Sequence, residues 1–203
     1  MAGRRFLTGF ILLIAAACTS GPAPPDETSA VQSAEEWRAA REQYMRADAD
    51  SPVPPEKRDL LLPLRYYATD ASYVVPAELK VANQRPVFEM PTSTGTIRKM
   101  QLVGSLQFAL QGQPMSLGAF VEDGVTEITT LFVPFADMTT GNETYPAGRY
   151  LDLHPTSTGF YLIDFNKAYN PSCAFSDAYE CPYPPPSNRL KIAIRAGEKA
   201  PGA

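Results

Sequence analysis

The chain has 203 residues, 44% hydrophobic and 20% charged, a balance that excludes wholesale disorder and allows one substantial core. Twenty prolines against thirteen glycines exclude long uninterrupted helices, because an interior proline removes a backbone donor and clashes with the preceding turn. The formal charge of −4, which becomes −6 once Arg4 and Arg5 leave with a cleaved leader, excludes the clustered basic surface that a nucleic-acid partner needs.

Residues 2–5, Ala-Gly-Arg-Arg, make a short positive segment, and residues 6–17 follow without a charge. Twelve residues suit the apolar region of a signal peptide and are too few to span a bilayer. The run closes in Ile14-Ala15-Ala16-Ala17-Cys18. Small side chains before a cysteine are what a lipoprotein signal peptidase admits, so residues 1–17 are expected to be removed and Cys18 acylated. Acyl chains contribute roughly 0.8 kcal/mol per buried methylene, and two or more hold a protein durably on a membrane. The expected address is extracytoplasmic, with a lipid anchor at Cys18 in the cell membrane or, because Thr19 rather than Asp follows, the outer membrane. Arg4-Arg5-Phe6-Leu7 lacks the spacer of a twin-arginine signal, which points to general secretion.

Residues 18–32 read as the lipidated cysteine and a flexible tether, polar and proline-bearing without periodicity. Ser33-Ala34-Glu35-Glu36 has the form of a capping box and predicts a helix from Ser33 to about Ala47. Trp37, Ala40 and Tyr44 then share one face, with Trp37 as a core anchor. Glu35 with Arg38 and Glu42 with Arg46 have the spacing of ion pairs on a solvated face. Pro52, Pro54 and Pro55 end the helix.

From Ser72 the hydrophobic pattern changes to period two, in short runs separated by turn residues. Leu106, Phe108 and Leu110, then Met115, Leu117, Ala119 and Val121, predict a hairpin over 105–121 with its apolar face inward. Further strands are predicted at 73–75, 87–90, 97–103, 125–135, 148–153, 160–165 and 190–194. The fold class expected over 33–203 is mainly β: a single antiparallel β-sandwich or partly open barrel with one N-terminal α-helix.

Polar residues concentrate between Val133 and Lys199. The stretches PFADMTTGNETYPAGRYLD, IDFNKAYNPSCAF and CPYPPPSNRLKIAIRAGEK resemble, in the same order, the bacterial and archaeal family called domain of unknown function 1684. The resemblance is strong over 133–199 and weaker upstream. It implies a family and carries no catalytic residue or cofactor over to these positions.

Taken by their chemistry, Asp137, Thr140, Thr144, Tyr145, Arg149, Asp164, Asn166, Tyr169, Asn170, Asn188 and Glu198 are the candidate ligand-binding set. Arg149 suits a carboxylate or phosphate because its planar fork binds such groups bidentately, and Tyr145, Tyr150 and Tyr169 could wall a pocket. Asp, Asn and Thr side chains also commonly bond to loop backbone, and Arg149 paired internally with Asp137 or Asp164 is an equal reading. The sole histidine, His154, ends a strand and reads as a rim residue. No nucleophile motif, metal motif or phosphate loop is present, and no cofactor is expected. Cys173 and Cys181, the two thiols left after Cys18, predict a disulfide in an oxidising compartment, with a zinc site or a redox pair as alternatives. Together these features suggest a membrane-anchored module that binds a small molecule or an envelope component, with a small hydrolase using carboxylates between Asp137 and Glu198 as the alternative.

Overall fold

The computed structural model describes residues 25–202; Cys18 and the leader lie outside the described residues. Seven strands form one curled antiparallel half-barrel. They are β1 (Val74–Val81), β2 (Val87–Pro91), β3 (Ile97–Leu110), β4 (Gln113–Glu122), β5 (Leu131–Phe135), β6 (Arg149–Leu153) and β7 (Phe160–Asp164). The order across the sheet is β6-β5-β4-β3-β1-β7, and β2 pairs with β3 off this path.

β3 and β4 form the predicted hairpin. Its turn is Gln111-Gly112, with φ of 52° and 73°, the left-handed pair that a two-residue connection needs. Every apolar residue assigned to its inner face is buried except Met115, which is half-buried. β3 is long enough to serve two neighbours on one edge, β2 through residues 97–101 and β1 through residues 104–108. A register shift between Leu102 and Gly104 marks the changeover. Gly104 is required there, since a Cβ would stand 2.5 Å from the carbonyl oxygen of Lys80.

The main core fills the concave side, where alternate residues of β1, β3, β4, β5, β6 and β7 converge on Leu106, Leu117, Val133, Phe135, Ile163 and Phe165. The predicted strand at 190–194 is not in the sheet. It is an extended segment that joins this core, burying Leu190, Ile192, Ile194 and Ala196 at period two. Its first part pairs with the chain just after β5, through the Leu190 amide to the Ala136 carbonyl at 2.8 Å and the Met138 amide to the Ile192 carbonyl at 3.0 Å, and side chains take over beyond that point, as described below. The strand expected over 125–135 is confined to β5, and β1 runs six residues past its predicted end.

The helix also differs from expectation. α1 spans Glu27–Ala47, so residues 27–32 belong to it and not to the tether. Asp26 caps it, accepting from the Ser29 amide at 3.0 Å and the Ser29 hydroxyl at 2.7 Å. Ser33, the expected cap, lies within the helix and accepts from Lys167 Nζ at 2.7 Å. The face that packs is Ala30, Ala34 and Met45, joined by the inward-reaching Arg38 and Arg41, rather than the face of Trp37, Ala40 and Tyr44. The pairs Arg38–Glu35 and Arg46–Glu42 form at 3.1 and 2.8 Å. A short helix α2 (Arg58–Leu61) follows the proline break.

Candidate functional site

β6 places the polar residues of the motif block on opposite sides of the sheet. Its period-two alternation turns Arg149, Leu151 and Leu153 inward and leaves Tyr150 and Asp152 on the outer side. Gly148, just before it, has φ of 84° and packs so closely that a Cβ would lie 2.6 Å from the Phe135 carbonyl oxygen. The chain can turn Arg149 into the core only through such a residue.

Arg149 is fully buried. Its Nη2 donates to Asp137 Oδ2 and to the Ile194 carbonyl, both at 2.8 Å, and its Nη1 donates to the carbonyls of Ala196 and Glu198. The guanidinium also stands 5.2 Å from the centre of the Phe135 ring. Asp137 Oδ1 accepts from the amide and hydroxyl of Thr139 and from the Ile194 amide. This pair therefore supplies backbone partners for Ile194, Ala196 and Glu198 in the extended C-terminal segment. Only Nε lacks a partner, and it is sealed from solvent, so no free donor of Arg149 faces an open surface where a carboxylate or phosphate could reach it.

The other predicted residues are mostly consumed in the same way. Thr140 accepts from the Asp137 amide, and the hydroxyls of Thr144 and Thr139 meet at 3.0 Å. Asn188 bonds the amide and carbonyl of Gly118 and the carbonyl of Pro134, bridging β4 and β5 where Pro134 has no N–H to offer. Asn166 pins Asp70 through both backbone groups and also bonds Asp164. Glu198 is wholly buried, paired with Arg41 Nε and accepting from the Asn170 amide at 2.8 Å. Burial works most strongly against the Arg41 charge, yet Glu198 outweighs it and raises the Arg41 pKa. Tyr145 donates to the Cys173 carbonyl.

Tyr169 is different. It lines three adjoining depressions of about 410, 350 and 510 Å³ on the outer side of the molecule. The first lies between β4, β5 and the loop that carries Cys173 and Cys181, with Phe132 and Tyr150 in its wall. The second and third flank α1 and share Trp37 and Asp152; the third also holds Asp164, His154 and Lys167. The Tyr169 ring is 6.5 Å from that of Trp37 and edge-on to Tyr150 at 5.8 Å, and the Arg41 guanidinium lies 4.7 Å over its centre. Trp37, expected in the core, is thus a half-buried wall of the cleft.

Tyr169 donates to Asp152 Oδ2 at 2.7 Å. Burial, then the neighbouring Asp152 carboxylate and this hydrogen bond, push the Tyr169 hydroxyl well above the usual tyrosine range. Asp152 is exposed, but its carboxyl stands among crowded protein atoms, and that loss of solvent raises its pKa against the opposing pull of the Tyr169 hydrogen bond and of Arg41. Its other oxygen has no hydrogen-bond partner among the described residues. Asp152 was missed in the sequence because it alternates with apolar neighbours like any outward strand residue.

Cys173 and Cys181 are joined as predicted, with Cα atoms 6.0 Å apart, within the span of a disulfide. His154 is exposed and meets the Thr129 carbonyl at 3.2 Å, a rim position. Among the described residues there is no cluster of His, Cys, Asp or Glu able to hold a metal ion, and no helix is long and apolar enough to cross a membrane.

The fold and site define an antiparallel half-barrel domain whose motif residues lock its C-terminal segment inside and whose open surface is an aromatic cleft. The chain belongs to the family described as protein of unknown function (DUF1684), whose model matches residues 62–199. It is similar to the solution NMR structure of an uncharacterized protein from Haloarcula marismortui, at 37% identity and a TM-score of 0.69, over 86% of this chain and 96% of that one. No curated protein matches.

Proposed function

We propose that this protein is a lipid-anchored extracytoplasmic binding module whose ligand site is the Tyr169 cleft. One observation carries the site: most polar residues of the motif block are internally bonded, whereas two of them, Asp152 and Tyr169, meet Trp37 around open depressions with an unpartnered carboxylate oxygen. The leader ending at Cys18 supports the address. Cys18→Ser should abolish uptake of labelled palmitate and release the chain from the membrane fraction; a variant that still takes up label sinks the anchor. Trp37 is the only tryptophan, so its emission reports on the cleft directly. Fractionated envelope extracts of the host should contain a component that shifts this emission, and the absence of any such fraction would retire the binding reading.

A hydrolase is favoured by a narrower observation. Asp152 and Asp164 line the same depression, and the Asp152 carboxyl is biased toward its protonated form, as a general acid requires. Asp137 and Glu198 are unsuited to that work, the first held by the buried Arg149 and the second, itself buried, by the partly buried Arg41. Turnover abolished by Asp152→Asn with binding intact distinguishes this reading from simple binding.

A further inference from the structure

The charges around the cleft restrict what it can hold. The third depression sets Asp152 and Asp164 against Lys167, with His154 at the rim, and the second sets Asp152 against Arg41. Neither of these two surfaces carries a strong excess of one sign; the first depression, where Glu122, Glu127 and Glu180 meet Arg98, is the acidic one of the three. Arg41 already occupies the cationic position over the Tyr169 ring and would repel a second cation from it. Asp152 and Asp164 would likewise repel a phosphate or carboxylate. A neutral ligand meets no such opposition.

The polar groups in reach are hydrogen-bonding groups of both kinds. Asp152 keeps one oxygen without a partner, and Lys167 can donate. Asn170 lines the second depression, is only 2% exposed, and its Oδ1 has no partner. A buried amide oxygen left unpaired is destabilising unless water or another donor reaches it. Trp37 and Tyr169 add apolar faces tilted 40° to one another. A ring with hydroxyls around its edge and C–H bonds on its face matches this combination. Its hydroxyls donate to the free Asp152 oxygen, while its face lies on the indole. Three depressions of about 410, 350 and 510 Å³ that share Tyr169 offer room for more than a single ring.

We infer that the Tyr169 cleft binds a neutral oligosaccharide, with Trp37 as the stacking surface and Asp152 as the acceptor for ring hydroxyls. The inference deepens the binding reading above and rests on it. The test uses the full chain in a detergent without a sugar head group. Trp37 emission and titration calorimetry follow the addition of maltotetraose, cellotetraose and tetra-N-acetylchitotetraose, with choline as the cationic probe and inorganic phosphate as the anionic one. At least one tetrasaccharide should bind, and its monosaccharide unit should bind about tenfold more weakly or worse. Asp152→Asn and Trp37→Phe should each weaken binding by about tenfold, read by calorimetry, with cooperative thermal unfolding retained. Silence from all three saccharides up to about 10 mM overturns the inference, as does binding that neither substitution alters. If choline or phosphate then shifts Trp37 emission, the cleft stands as a site and only the saccharide class falls. If neither does, the cleft loses its support as well.

Discussion

Arg149 and Asp152 lie three residues apart on one strand and live in opposite environments. Arg149 is fully buried and meets a carboxylate and three carbonyls; Asp152 is exposed and meets one tyrosine hydroxyl. Both are charged residues in the same motif stretch, so residue type does not separate their roles. Strand parity does: the odd positions of β6 face the core and the even positions face the cleft. An inward charge must be fully compensated, and its partners then become part of the architecture. An outward charge can keep a bonding position in reserve.

The strongest way to break this contrast is Arg149→Ala. It leaves Asp137 buried without its countercharge and frees three carbonyls, and should lower stability by about 3–5 kcal/mol in urea unfolding. A loss below about 1 kcal/mol would show that the inner pair has no architectural role. A smaller effect is expected on the outer side from Cys173→Ser with Cys181→Ser, which removes a cross-link over a sequence separation of 8. The chain-entropy estimate is roughly 2–3 kcal/mol, and the thermal midpoint should fall accordingly. Because this loop walls the first depression, proteolysis there should accelerate while the inner C-terminal segment stays protected. The smallest effect belongs to Asp152→Asn. A carboxyl whose pKa is raised on folding lowers stability wherever it is ionised, so the penalty is present above its folded pKa and vanishes below the ordinary carboxylate value of about 3.9. The variant should melt at or slightly above the parent at pH 7 and coincide with it near pH 3. A lower midpoint at pH 7 would make Asp152 structural, like Asp137.

The hairpin of β3 and β4 was legible because one face is buried along most of its length, so its period-two pattern is nearly unbroken. Cys173 and Cys181 were legible because setting Cys18 aside leaves a single pairing. The candidate ligand set was misleading for a physical reason. Asp, Asn, Thr and Arg look alike in sequence whether they bond a ligand or a buried backbone, and only the three-dimensional partners of Arg149, Asn166 and Asn188 tell the cases apart. The packing face of α1 was hidden because two of its members are arginines, whose long stems reach inward to the Tyr67 carbonyl and to Glu198. Trp37, displaced from that face, could be placed beside Tyr169 only by folding residues more than a hundred positions apart onto one another.

The early start of α1 changes the geometry of the proposed anchor. With Asp26 rather than Ser33 as the cap, eight residue steps separate it from Cys18, where the sequence suggested fifteen. At about 3.5 Å per residue, full extension of that link reaches roughly 28 Å instead of about 50 Å. Trp37 sits eleven residues along the helix from the cap, about 16 Å at 1.5 Å per residue. If Cys18 is lipidated, the cleft wall is confined to a shell within about 45 Å of the bilayer surface, the sum of those two reaches. An anchor so placed would act as a short leash, holding the Tyr169 cleft in the layer next to the membrane and away from the far side of the compartment.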